Sequence, residues 1–417
     1  MSSAARRDRA HREPHGMRPL KALLPLDEAL SLCLELAAPI DRRETLPISE
    51  ALHRVVAGDV RAPLDVPPAD RAAMDGYAVV ARDTSHAGKS SPAVLRVQEK
   101  VHAGGVPAKR ARKGRCTQIA TGAPMPRGTD AVVMVEDTER ERDTVEVFRP
   151  VRPRENVSAR GSDIRKGSLV LARGEVLTPA KVGALAAIGR KDVSVYARPR
   201  VALLVTGDEV VRPGVRLGPG QVYDINSHTM AAAVREAGGE PIPLGCIPDR
   251  LEALRDSLTT AVHEDIVVFS GGSSVGEKDL VIDALRSLGD LLFHGIAIKP
   301  GRPTVLGRVR GKAVLGMPGN PTSCLSNCYV LLAPMLRRMA HLPPPAGHVV
   351  EVPLAARIRS PLGKVEVHTI RVVDGKAVPA FKESGAITSM AHADGYIVIP
   401  ADVGLVEKGE TVRVTLF

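Results

Sequence analysis

Tryptophan is absent from this 417-residue chain, and aromatic residues make up only 2% of it. The interior must therefore be built from Val, Leu, Ala and Ile. Single-stranded nucleic-acid binding, which relies on aromatic stacking platforms, is disfavoured. Cysteine is scarce as well: Cys33, Cys116, Cys246, Cys324 and Cys328 are odd in number and scattered. The spacing of Cys324 and Cys328 is that of a helix face, not of a zinc knuckle. All five read as reduced thiols of a cytoplasmic protein. No apolar run is long enough to span a bilayer, and the charged N-terminus lacks the apolar segment of a secretion signal. Motifs are missing too. Without G-x-S-x-G there is no nucleophile elbow, and without H-E-x-x-H no zinc-protease helix. The first α/β strand is not followed by G-x-G-x-x-G, which counts against a dinucleotide oxidoreductase. The twelve histidines are dispersed, and only His294 stands beside a turn of interest.

What is present is charge, with a formal net value of +10. Arg6, Arg7, Arg9, Arg12, Arg18 and Lys21 outweigh Asp8 and Glu13, and residues 1–17 read as a basic, solvated tail. The remaining excess suits an anionic substrate. The length allows two to four domains of roughly 100–200 residues.

The periodicity changes along the chain. Leu30, Cys33, Leu34 and Ala37 predict a helix over 27–38 with Asp27 as its cap. A short helix is expected at 49–57. Between about 75 and 148 the runs YAVVA, AVLRVQ, RCTQIA, AVVMVE and TVEVF, split by Gly, Pro and charged turns, predict an all-β insertion. From 198 onward strands and helices alternate, which predicts a parallel sheet with helices on both faces. The last helix starts with Asn320 as N-cap and Pro321 at the first helical position. HLPPPAGH (341–348) stops it and forms a stiff linker. The remainder alternates as β, with an Asp374-Gly375 hairpin turn. The expected fold class is α/β multidomain. A basic tail occupies 1–17, and a discontinuous α+β domain 18–58 and 148–185. A β-rich insertion spans 59–147, a parallel-sheet α/β domain 186–341, and a C-terminal β-barrel 346–417.

In an open α/β sheet, ligands bind beyond the carboxyl ends of the strands. Those ends carry Thr206-Gly207-Asp208-Glu209, the stretch FSGGSSVGEKD (269–279) and Met317-Pro318-Gly319-Asn320-Pro321. The turn Lys299-Pro300-Gly301-Arg302-Pro303 is expected at the same edge. Gly271 and Gly276 are spaced as in a P-loop, yet Glu277 stands where a P-loop has Lys. Glycine N–H groups bind oxyanions, and carboxylates beside an oxyanion need a cation between them. Mg²⁺ meets that need, because it binds one or two carboxylates together with substrate phosphates. The residues thus point to a phosphate- or oxyanion-bearing ligand, with Mg²⁺ bridging to Glu209 and Asp279. Taken singly, each loop is equally a tight turn with solvated acids; several on one edge favour a site.

The strings AAMDGYAV (72–79), TGAPMPRGTDAVVMVE (121–136), TGDE (206–209), YDIN (223–226), SGGSSVGEKD (270–279), KPGRP (299–303) and GMPGNPTS (316–323) occur in the order they have in one family. The chain resembles the molybdopterin molybdenumtransferase (MoeA) family, which includes the gephyrin E domain. The resemblance covers nearly everything after about residue 20. It implies an α/β domain of the MogA/MoaB type, a cytoplasmic homodimer with the active site between subunits, and the last step of molybdenum cofactor synthesis. In that step molybdate enters the dithiolene of adenylylated molybdopterin, with Mg²⁺-dependent loss of AMP. Molybdopterin adenylyltransferase and downstream cofactor-handling proteins are implied as partners; nucleic acid and membrane are not. Carried over by position, Glu209, Asp249 and Asp279 are acids tied to the metal and ligand, and Asp163 is a further functional acid. The resemblance also implies that Asp70 and Thr121 face the partner's cleft. Gly271, Gly272, Ser273 and Gly276 hold the ligand together with Lys299, Arg302, Pro318, Gly319, Asn320 and Pro321. Three departures stand out. Arg302 replaces a common Lys, changing a point charge into a planar fork. Gly295 stands where some members carry Lys. An Arg expected near Thr369 is absent, with Arg371 close by, and Ser389 matches a polar position only loosely. Two other readings stay open: an enzyme of the molybdopterin adenylyltransferase type, and a non-enzymatic scaffold of the gephyrin type.

Overall fold

The computed structural model describes residues 23–271, 280–344 and 348–417. These form two compact units, one of residues 43–195 and one of the residues flanking it.

In the unit 43–195, six strands form one sheet in the order Ala131–Met134, Gly76–Val79, Arg115–Ile119, Ala93–Val101, Thr144–Val147, Thr138–Glu141. Ala93 and Leu95 are buried while Val94 points to solvent, the period-two pattern of a strand with one face covered. Tyr77, Leu95, Val133, Val145 and Val147 share the core beneath it. Gly76 has no room for a side chain, since a Cβ would lie 1.9 Å from the carbonyl oxygen of Val133. The chain on either side of this sheet pairs across it: Val60–Arg61 with Leu169–Leu171, and Arg71–Ala72 with Val157–Ser158. The helix expected at 49–57 does not form; only Ile48–Glu50 makes a 3₁₀ turn. The amides that would continue it are taken elsewhere. His53 N–H donates to Leu177, Val56 N–H to Glu175 and Ala57 N–H to Ser194.

In the flanking unit, α1 (Leu26–Glu35) precedes β1 (Arg200–Thr206), α2 (Asn226–Glu236), β2 (Glu240–Ile247), α3 (Leu251–Ala261), β3 (Ile266–Ser270), α4 (Leu280–Leu288), β4 (Asp290–His294), β5 (Ile298–Lys299), β6 (Val305–Val309), β7 (Lys312–Met317), α5 (Pro321–Asn327) and α6 (Ala333–Met339). The sheet order is β2-β1-β3-β7-β6-β4. Val201, Leu203 and Val205 of β1 pack on one face with α1, α2, α5 and α6. Ala202 and Leu204 pack on the other with α3 and α4. The α1 helix is shorter than expected. Pro25 occupies its cap position, and no side chain caps it; Asp27 sits inside the first turn, where its charge suits the helix N-terminus. Ala29 and Cys33 join the α/β core, so this segment packs within the flanking unit.

The sheet is mixed rather than wholly parallel. Strands β2, β1, β3 and β7 run parallel, but β6 is antiparallel to β7. Arg310 and Gly311 both have positive φ and make the two-residue turn that joins β6 to β7. Strand β4 is antiparallel to β6, so it again points the same way as β7. The turn after β4 therefore reaches the edge where β1, β3 and β7 end.

The single long helix expected after Asn320 is three pieces, with a π-turn over Cys328–Leu332 between α5 and α6. Pro334 lacks the N–H for a helical bond, and the wider turn accommodates it. Asn320 occupies the cap position without a capping bond, and Pro321 is at the first helical position as expected. After the linker, β8 (Val349–Pro353), β9 (Val365–Val373), β10 (Gly395–Ile399) and β11 (Thr411–Leu416) form a second sheet in the order β5-β9-β10-β11-β8. Strand β5 leaves the α/β sheet to pair with β9. The Asp374-Gly375 turn joins β9 to Lys376–Pro379.

Candidate functional site

The carboxyl ends of β1, β3 and β7 open into a cavity of about 800 Å³, within the range of sites for small ligands and cofactors. Glycine lets the strand ends come this close. At Gly271, φ is +96°, and a Cβ would lie 2.4 Å from the carbonyl oxygen of Thr206. Of the residues singled out in the sequence, Glu209, Asp249, Gly271, Pro318, Gly319, Asn320 and Pro321 line this cavity. Gly272, Ser273, Gly276 and Asp279 lie outside the described residues.

One wall is acidic. The Asp249 carboxyl is pushed above its usual range, first by burial and then by the charges of Asp208 and Glu209. Burial also raises the Cys246 thiol on β2, helped by Asp224, Asp249, Glu209 and Asp208. Among the described residues, none of these four acids forms an ion pair with Lys or Arg. Nor do three metal-ligating side chains converge into a complete cage. An unneutralised pair of hard oxygen donors on a cavity wall fits Mg²⁺, which keeps waters and takes further oxygens from a bound phosphate. Glu209 and Asp249 are the described residues that would hold it.

The predicted cations are elsewhere. Lys299 Nζ lies 3.1 Å from Oε1 of Glu366, whose side chain is only 2% exposed. Burial works to raise the Glu366 carboxyl, but the contacts from His368 and Lys299 outweigh it and hold the group below its ordinary value. Arg302 is exposed, and Pro303 of the same turn lines the cavity. The turn is strapped down by Asn327, whose Nδ2 donates to the carbonyl of Gly301 (3.1 Å) and to Thr304 Oγ1 (2.5 Å). His294 has its pKa lowered by burial and by Arg286, which favours the neutral ring. Arg371 is exposed, and the buried Ser389 hydroxyl accepts a hydrogen bond from the Lys382 N–H.

The start of α5 is closed by the C-terminal sheet domain. Thr322 N–H donates to the Ser384 carbonyl (3.0 Å), and Thr322 Oγ1 to Ala386 (2.8 Å). Asn320 Nδ2 donates to Ser384 Oγ (2.9 Å). Gly385 thereby becomes part of the cavity wall. Sequence reasoning missed this wall and also Asn226, whose string YDIN was noted without a role.

In the unit 43–195, Asp70 and Thr121 lie on neighbouring segments, joined by Met125 N–H to Asp70 C=O and Gly122 N–H to Ala72 C=O. Asp70 is held by the Arg154 guanidinium and the Arg160 N–H, which pull its pKa down. Thr121 donates through its N–H (2.6 Å) and its hydroxyl (3.0 Å) to Asp75. Asp163 is exposed, with its N–H on Val66. Asp65, which accepts from Arg160 Nε and Lys166 N–H, was missed; its binding partners lie about a hundred residues away in sequence.

Known families match this architecture in the same order. The MoeA N-terminal region (domain I and II) matches residues 24–189, a probable molybdopterin binding domain 202–338, and the MoeA C-terminal region (domain IV) 351–417. Molybdopterin molybdenumtransferase 2 of Mycobacterium tuberculosis is 37% identical over 383 residues, covering 89% of this chain and 94% of that protein. Molybdopterin molybdenumtransferase of Haemophilus influenzae is 33% identical over 405 residues, covering 95% and 99%. The crystal structure of the molybdopterin biosynthesis MoeA protein from Pyrococcus horikoshii superposes with a TM-score of 0.82 at 39% identity, covering 95% of this chain and 99% of that one.

Proposed function

The chain belongs to the MoeA family, and on that premise we propose that it is a molybdopterin molybdenumtransferase. It takes adenylylated molybdopterin and molybdate, places molybdenum in the dithiolene and releases AMP. The observation that carries this reading is the strand-end cavity, which gathers Glu209, Asp249, Gly271 and the Pro318–Pro321 turn. Its volume suits a ligand of nucleotide size. When bound, Mg²⁺ would offset the charge of the phosphoanhydride and polarise a phosphoryl oxygen.

The chain's own residues supply the rest. Glu209 and Asp249 keep negative charge on one wall, and the Gly271 turn leaves space for a ligand against the backbone. The prolines at 318 and 321 fix the opposite turn. Lys299 contributes by holding the buried Glu366, and so the crossing from one sheet to the other. The reading carries with it a homodimer in which Asp70 and Thr121 meet the cavity of the partner subunit. An adenylyltransferase upstream and cofactor-handling proteins downstream would be its partners. Support for the dimer is the presence of Asp70 and Thr121 on adjacent segments, one half-buried and one exposed.

The test is incubation with adenylylated molybdopterin, Mg²⁺ and either molybdate or tungstate. AMP release together with cofactor able to activate an apo-molybdoenzyme is expected. Absence of both with either oxyanion overturns the reading.

A further inference from the structure

The cavity is also lined by a residue whose unpaired acceptor does not suit an anion. Asn226 opens α2, is 7% exposed, and lines the cavity. Its Nδ2 donates to Ser270 Oγ at 2.7 Å and to the Gly319 carbonyl at 2.7 Å. Ser270 Oγ donates onward to the Pro318 carbonyl at 3.2 Å. The direction of this chain is fixed by chemistry. The carbonyls of Gly319 and Pro318 can only accept, so nitrogen must face Gly319, and the Ser270 hydroxyl spends its single proton on Pro318. Both protons of the Asn226 amide are therefore committed. Its Oδ1 is buried and has no partner among the described residues.

A buried acceptor left unpaired is costly, and native sites leave few of them. An amide oxygen repels phosphate and molybdate and attracts N–H. We propose that Asn226 Oδ1 accepts a hydrogen bond from a ring-amine or ring-amide N–H of a heterocyclic ligand, making Asn226 a specificity residue of this cavity. The inference rests on the function proposed above for the identity of the heterocycle, which is the pterin or the adenine of the substrate. Its Nδ2 meanwhile ties the Pro318-Gly319 turn to the end of β3. Recognition of the ring and spacing of the two loops thus depend on one side chain.

Calorimetric binding to the full chain tests this with two ligand pairs. One is 6-hydroxymethylpterin against its 2-dimethylamino-3-methyl derivative; the other is AMP against N6,N6-dimethyl-AMP. In each pair only the first member carries N–H donors: the N3–H and 2-amino group of the pterin, or the 6-amino group of the adenine. The wild type should prefer the N–H member of one pair by about tenfold, and that pair identifies the ring. Asn226→Leu keeps the shape but loses the acceptor, so the preference should shrink to about twofold or less. Asn226→Asp keeps the acceptor oxygen and loses both donors, so the preference should persist even where overall affinity falls. A purely structural Asn226 would weaken all four ligands alike and leave the ratios unchanged in both variants. Equal binding within both pairs by the wild type, or a preference retained by Asn226→Leu, overturns the inference while leaving the proposed function standing. Failure of all four ligands to bind overturns this inference, while the proposed function stands or falls separately on the AMP-release assay.

Discussion

Replacing Asp249 by Asn removes one of four carboxylates that act on the Cys246 thiol, and that thiol can report the change. Cys246 is the exposed cysteine; Cys33, Cys116, Cys324 and Cys328 are buried. Alkylation of the folded protein therefore reads one site. The thiol is raised by burial and by Asp224, Asp249, Glu209 and Asp208. A unit charge within about 8 Å, acting through an effective dielectric of about 40–80, contributes about 0.5–1 kcal/mol. That corresponds to a displacement of about 0.4–0.8 in the midpoint of a pH–rate curve. Asp249→Asn and Glu209→Gln should each move the iodoacetamide midpoint to lower pH by about that amount. Mg²⁺ added to the wild type should move it the same way, because a cation on the acidic wall favours the thiolate. The Mg²⁺ response should shrink in both variants. Midpoints that stay put in both variants refute the acidic wall as the source of the field. A wild-type midpoint indifferent to Mg²⁺ refutes Glu209 and Asp249 as its holders.

Other consequences are open to direct measurement. Asp265, at the start of β3, receives both guanidinium nitrogens of Arg42 at 2.7 and 2.6 Å and the Arg200 N–H at 2.8 Å; burial opposes these bonds, yet they hold its carboxyl below the ordinary value. Arg42→Ala should cost about 2–3 kcal/mol in urea denaturation at pH 7. Because a depressed carboxylate stabilises above its unfolded pKa and loses that contribution as pH falls through the folded one, the gap between wild type and variant should narrow in acid. Gly271→Ala places a Cβ 2.4 Å from the Thr206 carbonyl oxygen at positive φ and should cost about 3 kcal/mol or more, with a lower Tm even when no ligand is added. Lys299→Ala leaves the buried Glu366 carboxylate without its cation and should lower stability by about 1–3 kcal/mol. Adding Glu366→Gln to that variant should restore most of the loss, which a Lys299 acting only on substrate would not allow.

The parts of the fold visible in the sequence are those set by local pattern. Alternation announced the strands around Val94 and the α/β rhythm from Val201 onward, and Pro321 announced the start of α5. The parts that were not visible depend on distant partners. The amides of His53, Val56 and Ala57 look helical until Glu175, Leu177 and Ser194 claim them. The π-turn at Cys328–Leu332 is traceable to Pro334 in retrospect, but a proline alone does not say whether a helix kinks or widens. Within the site, glycine spacing and acids at strand ends pointed to Gly271 and Glu209, and the family resemblance added Asp249; all three line the cavity. Lys299 carried the right charge for a phosphate site, yet its Nζ is turned to Glu366, 67 positions away in the chain and opposite it on the neighbouring strand. Asn226 escaped notice because a helix-opening Asn is an ordinary capping residue, and only the positions of Ser270 and Gly319 give it a further task.

The bonds from Asn320 and Thr322 to Ser384 and Ala386 span 64 positions for both side-chain contacts. During synthesis at about 5–20 residues per second, the first turn of α5 leaves the ribosome several seconds before the carbonyls that complete it. Through that interval a nascent chain possesses every strand of the α/β sheet but not a finished cavity. An arrested or prematurely terminated chain therefore lacks the Gly385 wall of the cavity, which arrives only with the final domain.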